Sequence, residues 1–168
     1  MSAARPLAVV VMGVSGCGKT AVGSLLAQRL GARFIDADDL HPAANVEKMR
    51  AGIPLEDADR APWLSLLNAR LREAAAAGEP VVLACSALKQ RYRDTLAAGV
   101  PGLRFVHLAG SRELIAARLA ARQHRYMPAS LLDSQFAALE VPVDAIVIDV
   151  ALPLEAVVDA AAQALQAA

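Results

Sequence analysis

What this sequence lacks narrows what the chain can be. No apolar run approaches the roughly 20 residues needed to cross a bilayer, so no membrane role is expected. Lys plus Arg and Asp plus Glu both number 17. With no formal net charge, a broad basic surface for nucleic acid is not expected either. Two cysteines, Cys17 and Cys85, cannot build a disulfide framework and point to reduced thiols in the cytoplasm. Internal repeats, linkers and low-complexity stretches are missing, apart from alanine-rich helix faces. The apolar run Val81–Cys85 leads into Ser86 rather than aspartate, so a Walker-B acid of the GTPase kind is missing. So is a guanine-reading Asn-Lys-x-Asp. Arg5 followed by Leu7–Met12 has the outline of a signal peptide, but cleavage there would remove the stretch that follows, and that reading is rejected.

That stretch is Gly13-Val14-Ser15-Gly16-Cys17-Gly18-Lys19-Thr20, set between the apolar run and the helically spaced Ala21–Leu30. The pattern G-x-x-x-x-G-K-[ST] between strand and helix is that of a phosphate-binding loop. Its glycines let backbone N–H groups curl around phosphate oxygens, and the helix N-terminus adds partial positive charge. Lys19 would reach the β- and γ-phosphates of a nucleoside triphosphate, and Thr20 would take a Mg²⁺ position. Cys17 stands where serine is more usual, and the expectation is a loop open to thiol reagents and protected by ATP.

The 168 residues, 56% hydrophobic and 20% charged, suit one globular domain spanning 1–168. Strands are expected at Leu7–Met12, Arg33–Asp36, Val81–Cys85, Leu103–Leu108 and Asp144–Asp149, alternating with helices. The expected helices are Lys19–Leu30 ending at Gly31, Ala44–Ala51 and one opening at Pro62, then Ala87–Ala98, Arg112–Gln123, Ala129–Leu139 and Pro153–Ala167. Ala37–Pro42 reads as an irregular connection and Ile53–Ala61 as loop. Continuously apolar strands alternating with helices imply a five-stranded parallel sheet covered on both faces, a three-layer α/β/α fold. Right-handed crossovers would put the loop, Asp36 and Cys85 on one edge.

Asp36 and Asp38, two apart on an extended chain, would project the same way. Asp36 suits the metal side, and Asp38 suits the acceptor hydroxyl, as base or as binding group. Arg60 lies among Glu56, Asp57 and Asp59, and serves either an ion pair there or a fork for an anionic substrate. His41 could donate to substrate or cap the next helix. Lys89, Arg91 and Arg93 form a basic cluster on the active edge, with Cys85 packing and Ser86 capping a helix. Arg112, Arg118, Arg122 and Arg125 share their segment with one acid, Glu113. Such unpaired arginines suggest a lid, about residues 112–140, in which Arg118 and Arg122 grip ATP phosphates during catalysis.

Four blocks in order resemble the small gluconate kinases of the P-loop kinase group, shikimate-kinase-like in fold. They are Gly13–Thr20; Asp36–Pro42 with Asn45, Lys48 and Met49, continued by Gly52–Leu55, Asp57, Asp59-Arg60 and Pro62-Trp63-Leu64; Cys85–Lys89 with Tyr92-Arg93-Asp94; and Ser134-Gln135-Phe136 with Leu139-Glu140 and Pro142. The resemblance implies ATP- and Mg²⁺-dependent phosphorylation of the D-gluconate 6-hydroxyl to 6-phosphogluconate, a mobile lid and a homodimer. It implies that Asp38 is the acceptor-side base, and that Arg60, His41, Lys89 and Gln135 hold the sugar acid. Two departures stand out. Ala37 replaces a common glycine, and Gln123–Pro128 replaces Gly-His-Phe-Met, so that either His124 or Arg125 takes the family histidine's place. Two other readings stay open: a P-loop kinase for shikimate, a nucleotide or another sugar acid, and a nucleotide-dependent binding module without acceptor chemistry.

Overall fold

The computed structural model describes residues 7–121 and 129–167. Its centre is β1 (Ala8–Met12), a run of apolar, mostly β-branched residues buried at every position. Such a run is stable only as a strand covered on both faces. The other strands are β2 (Arg33–Asp36), β3 (Val81–Ala84), β4 (Arg104–Ala109) and β5 (Ile146–Asp149). They form one sheet of order β2-β3-β1-β4-β5 with every adjacent pair parallel. All carboxyl ends therefore lie along one edge, as expected.

Among the described residues seven helices accompany the sheet: α1 (Lys19–Leu30), α2 (Ala43–Arg50), α3 (Asp57–Ala76), α4 (Gln90–Ala97), α5 (Arg112–Ala120), α6 (Ala129–Ala138) and α7 (Leu154–Gln166). Alternation along β1 divides the core. Val9 and Val11 pack with Val22 and Leu26 of α1 and with Val157 and Ala161 of α7. Val10 and Met12 face Trp63, Leu67 and Leu71 of α3 and Leu96 of α4. Each such side chain contributes about 1.5–3 kcal/mol by leaving water, and the result is the three-layer α/β/α arrangement. Gly31 ends α1 in the left-handed conformation, with φ 63°.

Beyond small shifts at other element ends, three differences from expectation bear on the site. α3 starts at Asp57, within the stretch read as loop, because Glu56 and Asp59 form a reciprocal capping box. Asp57 and Asp59 also complement the positive end of the helix dipole. Pro62 consequently lies inside α3 rather than opening it. The segment 37–40 is a 3₁₀ turn, capped by the Asp36 carboxylate. α4 starts at Gln90, not Ala87, because Ala87 has a φ of 46° that no helix accommodates. Ser86 is therefore not a helix cap.

The core also contains polar groups that periodicity does not reveal. Buried Asn68 donates to the carbonyls of Leu96 and Ala98, at 2.9 and 2.7 Å, and so ties α3 to the end of α4. His107 of β4 is buried, and its Nδ1 has no hydrogen-bond partner among the described residues. Burial, reinforced by the Arg93 charge, lowers its pKa from the usual 6.5. The folded state thus holds His107 neutral, while the unfolded chain takes up its proton as pH falls through about 6.5. Stability is lost on that acid limb. His107→Leu should lessen the fall in urea midpoint between pH 7.5 and 5.5, leaving a residual slope to which His41, its pKa also lowered, contributes; a slope equal to wild type would refute this assignment.

Candidate functional site

The phosphate loop is shaped by backbone conformations that only glycine adopts readily. Gly16 has φ 86°, and a Cβ there would lie 2.7 Å from Leu119 Cγ, so α5 rests directly on the loop. Gly18 has φ 96° and caps α1. Lys19 folds back, its Nζ donating to the Val14 carbonyl at 3.1 Å. The loop is anchored to β3's continuation where Gly13 N–H donates to Ser86 O at 3.3 Å.

Cys17 corrects an expectation. Its side chain is buried with Val14 and Val22 in the core, not presented at the loop surface. Burial raises its pKa despite the opposing Lys19 and Arg118 charges, so it is a poor thiolate.

On the neighbouring strand, Asp36 Oδ2 accepts the Thr20 hydroxyl at 2.9 Å and Oδ1 accepts the Asp38 N–H at 3.0 Å. The chain turns at Asp36, so Asp38 does not continue an extended strand, and the same-side projection of the two acids does not apply. Asp38 is instead held out by the 3₁₀ turn, its side chain 78% exposed. Ala37 has no positive φ, so alanine fits the turn without backbone strain; its carbonyl accepts Trp63 Nε1–H at 2.8 Å.

The His41 side chain is 5% exposed, stacked on Trp63 at 4.1 Å between ring centroids. Asn45 Nδ2 donates to the Asp59 carbonyl at 2.9 Å, which fixes the orientation of its amide. The same nitrogen faces His41 Nδ1 at 3.2 Å, so Nδ1 is the acceptor and Nε2 carries the hydrogen. That Nε2 points toward Asp38 Oδ1, 4.0 Å away. Burial lowers the His41 pKa more than Asp38 raises it, so the ring is neutral. Lys48 pairs with Asp59 at 2.9 Å and braces the same corner.

Beside the loop lies a cavity of about 280 Å³ whose lining includes Arg60, Trp63, Lys89, Tyr92 and Gln135. Arg60 makes no ion pair among the described residues; its guanidinium donates to Leu55 O at 2.8 Å and lies over the Tyr92 ring. Lys89 sits 3.9 Å from Asp57, which also accepts hydrogen bonds from Arg91 and the Tyr92 hydroxyl. The Tyr92 hydrogen bond, with Arg91 and Lys89 assisting, holds the Asp57 carboxyl below its usual range. Gln135 spans to the phosphate loop, accepting Ser15 N–H at 2.6 Å and donating to Ser15 Oγ at 2.8 Å. His41 stands behind Trp63, and neither it nor Asp38 lines the cavity.

The basic cluster after β3 divides by role. Lys89 faces the cavity, Arg91 pairs with Asp57, and Arg93 is 2% exposed, donating to the carbonyls of Ala87 and Glu140. Arg112 is not unpaired; it bridges to Asp133 of α6. Arg118 makes no ion pair among the described residues and lies near the loop, where its charge acts on Cys17. Arg122, His124, Arg125 and Tyr126 lie outside the described residues. Asn45, Asp57 and Glu140 went unassigned in the sequence because each acts through partners 14 to 50 positions away.

Among the described residues no group of three or more His, Cys, Asp or Glu could hold a metal ion. Thr20 and Asp36 offer adjacent oxygens beside the loop, a sparse set of the kind that suits Mg²⁺, which keeps several waters and leans on substrate phosphates.

This loop, sheet order and edge define a P-loop nucleotide-binding protein, and a family profile described as an AAA domain matches residues 9–142. A gluconokinase of Gluconobacter oxydans is 55% identical over 140 residues, covering 83% of this chain and 79% of that protein. The thermosensitive gluconokinase of Escherichia coli is 50% identical over 133 residues, covering 79% and 71%. The crystal structure of a gluconokinase from Sinorhizobium meliloti superposes with TM-score 0.86 at 46% identity, covering 98% and 94%. The chain belongs to the gluconokinase family and is a P-loop kinase.

Both thiols are buried, and burial pushes Cys85 up to about 12. Ellman's reagent should therefore titrate neither in the native protein at the rate of a free thiol, and both after unfolding. A rapid native reaction at Cys17 that ATP suppresses would restore the exposed-loop picture.

Proposed function

We propose that the protein transfers the γ-phosphoryl group of ATP to the 6-hydroxyl of D-gluconate, giving 6-phospho-D-gluconate and ADP. The observation that carries this reading is the cavity joined to the phosphate loop through Gln135, with Arg60 and Lys89 in its wall. A sugar acid offers a carboxylate for those two cations and hydroxyls for the Gln135 amide. Membership of the gluconokinase family supports the same acceptor.

Gly13–Thr20 cradles the phosphates of ATP, with Lys19 swinging from the Val14 carbonyl to balance charge on the transferring group. Thr20 and Asp36 would hold Mg²⁺, which when bound neutralises charge across the β- and γ-phosphates. Asp38 takes the proton from the acceptor hydroxyl as its oxygen bonds to phosphorus and the bond to ADP breaks. His41, neutral with Nε2–H toward Asp38, orients that carboxylate rather than competing for the proton. It serves the acceptor through Asp38 and Trp63. Segment 112–140 acts as the lid of a single domain spanning 1–168. Arg118, and Arg122 beyond the described residues, steady the phosphates on closure. No helix among the described residues is long and apolar enough to cross a membrane. We place the protein in the cytoplasm as a homodimer, following the family resemblance.

An ADP-release assay over a panel of acceptors tests the substrate. Gluconate should outpace shikimate, nucleosides and other aldonic acids, and no gain in turnover with gluconate would sink the proposal. Asp38→Asn should lower kcat by roughly 10²–10⁴-fold if Asp38 is the base. A raised gluconate KM at unchanged kcat would make it a binding group.

A further inference from the structure

The paired hydrogen bonds between Gln135 and Ser15 join residues 120 positions apart: the lining of the acceptor cavity and the phosphate loop itself. Their geometry fixes the amide. Ser15 N–H can donate only to an oxygen, so Oε1 faces the backbone and Nε2 faces the hydroxyl. A primary amide has two N–H donors and an oxygen with two lone pairs. Ser15 uses one donor and one lone pair, and among the described residues nothing takes the others. The amide can therefore hold the loop and a polyol hydroxyl at once.

The neighbouring contacts make that connection mechanically direct. Gly16, the next residue, is pressed by Leu119 of α5, and α5 is linked to α6 through Arg112 and Asp133. α6 is in turn fixed at its far end, where Glu140 N–H donates to Leu88 O at 2.7 Å and Glu140 Oε1 accepts Gln90 N–H at 2.7 Å. Leu88 lines the same cavity. A ligand ordering the cavity wall thus orders the element that grips Ser15.

We propose that Gln135 is a positioning residue that couples the two substrate sites: an acceptor hydroxyl bound to its free amide valences stiffens Ser15 and prepares the loop for the triphosphate. This rests on the cavity being the acceptor site. The coupling is reciprocal, so the acceptor tightens nucleotide binding by the factor by which nucleotide tightens the acceptor.

The test is calorimetric titration of a non-hydrolysable ATP analogue with and without saturating gluconate, on wild type, Gln135→Met, Ser15→Ala and the double variant. In wild type gluconate should tighten analogue binding at least about fivefold, the lower end of ordinary coupling. Gln135→Met, similar in volume but without the amide, should bring the ratio to within about twofold of unity. Ser15→Ala keeps the N–H and loses the hydroxyl, and should reduce the ratio in the wild-type background but not in the Gln135→Met background. A merely structural role would lower the melting temperature or weaken both ligands while preserving the ratio, and would overturn the proposal. So would a wild-type ratio of one. Gluconate that binds with an unchanged ratio in Gln135→Met refutes the coupling alone, whereas gluconate that does not bind wild type refutes the acceptor assignment as well.

Discussion

The site depends on β1 being enclosed on both faces and both edges. The register places Val11 opposite Ala84 on one side and Val106 on the other, and Ala84 in turn opposite Asp36. Val11, Ala84 and Asp36 therefore lie in one row across the sheet, and everything beyond that row is available for chemistry. The phosphate loop leaves β1 two residues later, and α1 returns over the sheet so that Thr20 meets Asp36. A slip of one residue between parallel neighbours would invert their faces and separate the loop hydroxyl from the Asp36 carboxylate. Gly23, whose added Cβ would lie 2.8 Å from Phe34, lets α1 approach closely enough for that contact.

The corner that carries Asp38 is built differently, by side chains fixing one another in sequence. Asp59 caps its own helix, pairs with Lys48 and offers its carbonyl to Asn45. Asn45 sets the His41 tautomer, His41 stacks on Trp63, and Trp63 holds the Ala37 carbonyl just ahead of Asp38. The order of events along that chain runs from a helix cap to an exposed carboxylate. For the base proposed above such bracing matters, because a carboxylate takes a proton efficiently only from a hydroxyl placed within its hydrogen-bonding reach.

The sheet, α1 and the nucleotide loop could be read from the sequence because each is specified locally: apolar β-branched runs, helical spacing, and a glycine motif whose backbone demands are its function. Gly31 ended its helix where expected for the same reason. The start of α3 was not legible because Glu56 and Asp59 resemble a solvated acidic loop until seen capping one another. Arg93 read as one of a basic cluster on the active edge, yet it donates to carbonyls at Ala87 and Glu140, 6 and 47 positions away. Cys17 was misplaced because a loop motif says which residues are present and not which side chain turns inward. Tertiary partners, rather than local pattern, decide the last two, whereas the cap of α3 is local and was masked by its acidic surroundings.

Ala87 shows why Arg93 is worth burying. A non-glycine residue at φ 46° carries about 1–3 kcal/mol of strain and persists only where its surroundings over-determine it. Here Gly13 N–H binds the Ser86 carbonyl from one side, and the Arg93 guanidinium binds the Ala87 carbonyl at 2.7 Å from the other. Burial lowers the Arg93 pKa, with Glu140 and Asp94 opposing the shift. An ion so enclosed is costly unless its donors are satisfied. Its donors reach Ala87, Gln90 and Glu140, and the last of these closes α6 onto the cavity. The strained turn puts Ser86, Ala87, Leu88 and Lys89 along the cavity wall, whereas a helix continuing from Ala87 would bury or rotate away part of that row. The buried guanidinium thus keeps the end of β3 from becoming helix. That refusal opens the cavity beside the phosphate loop.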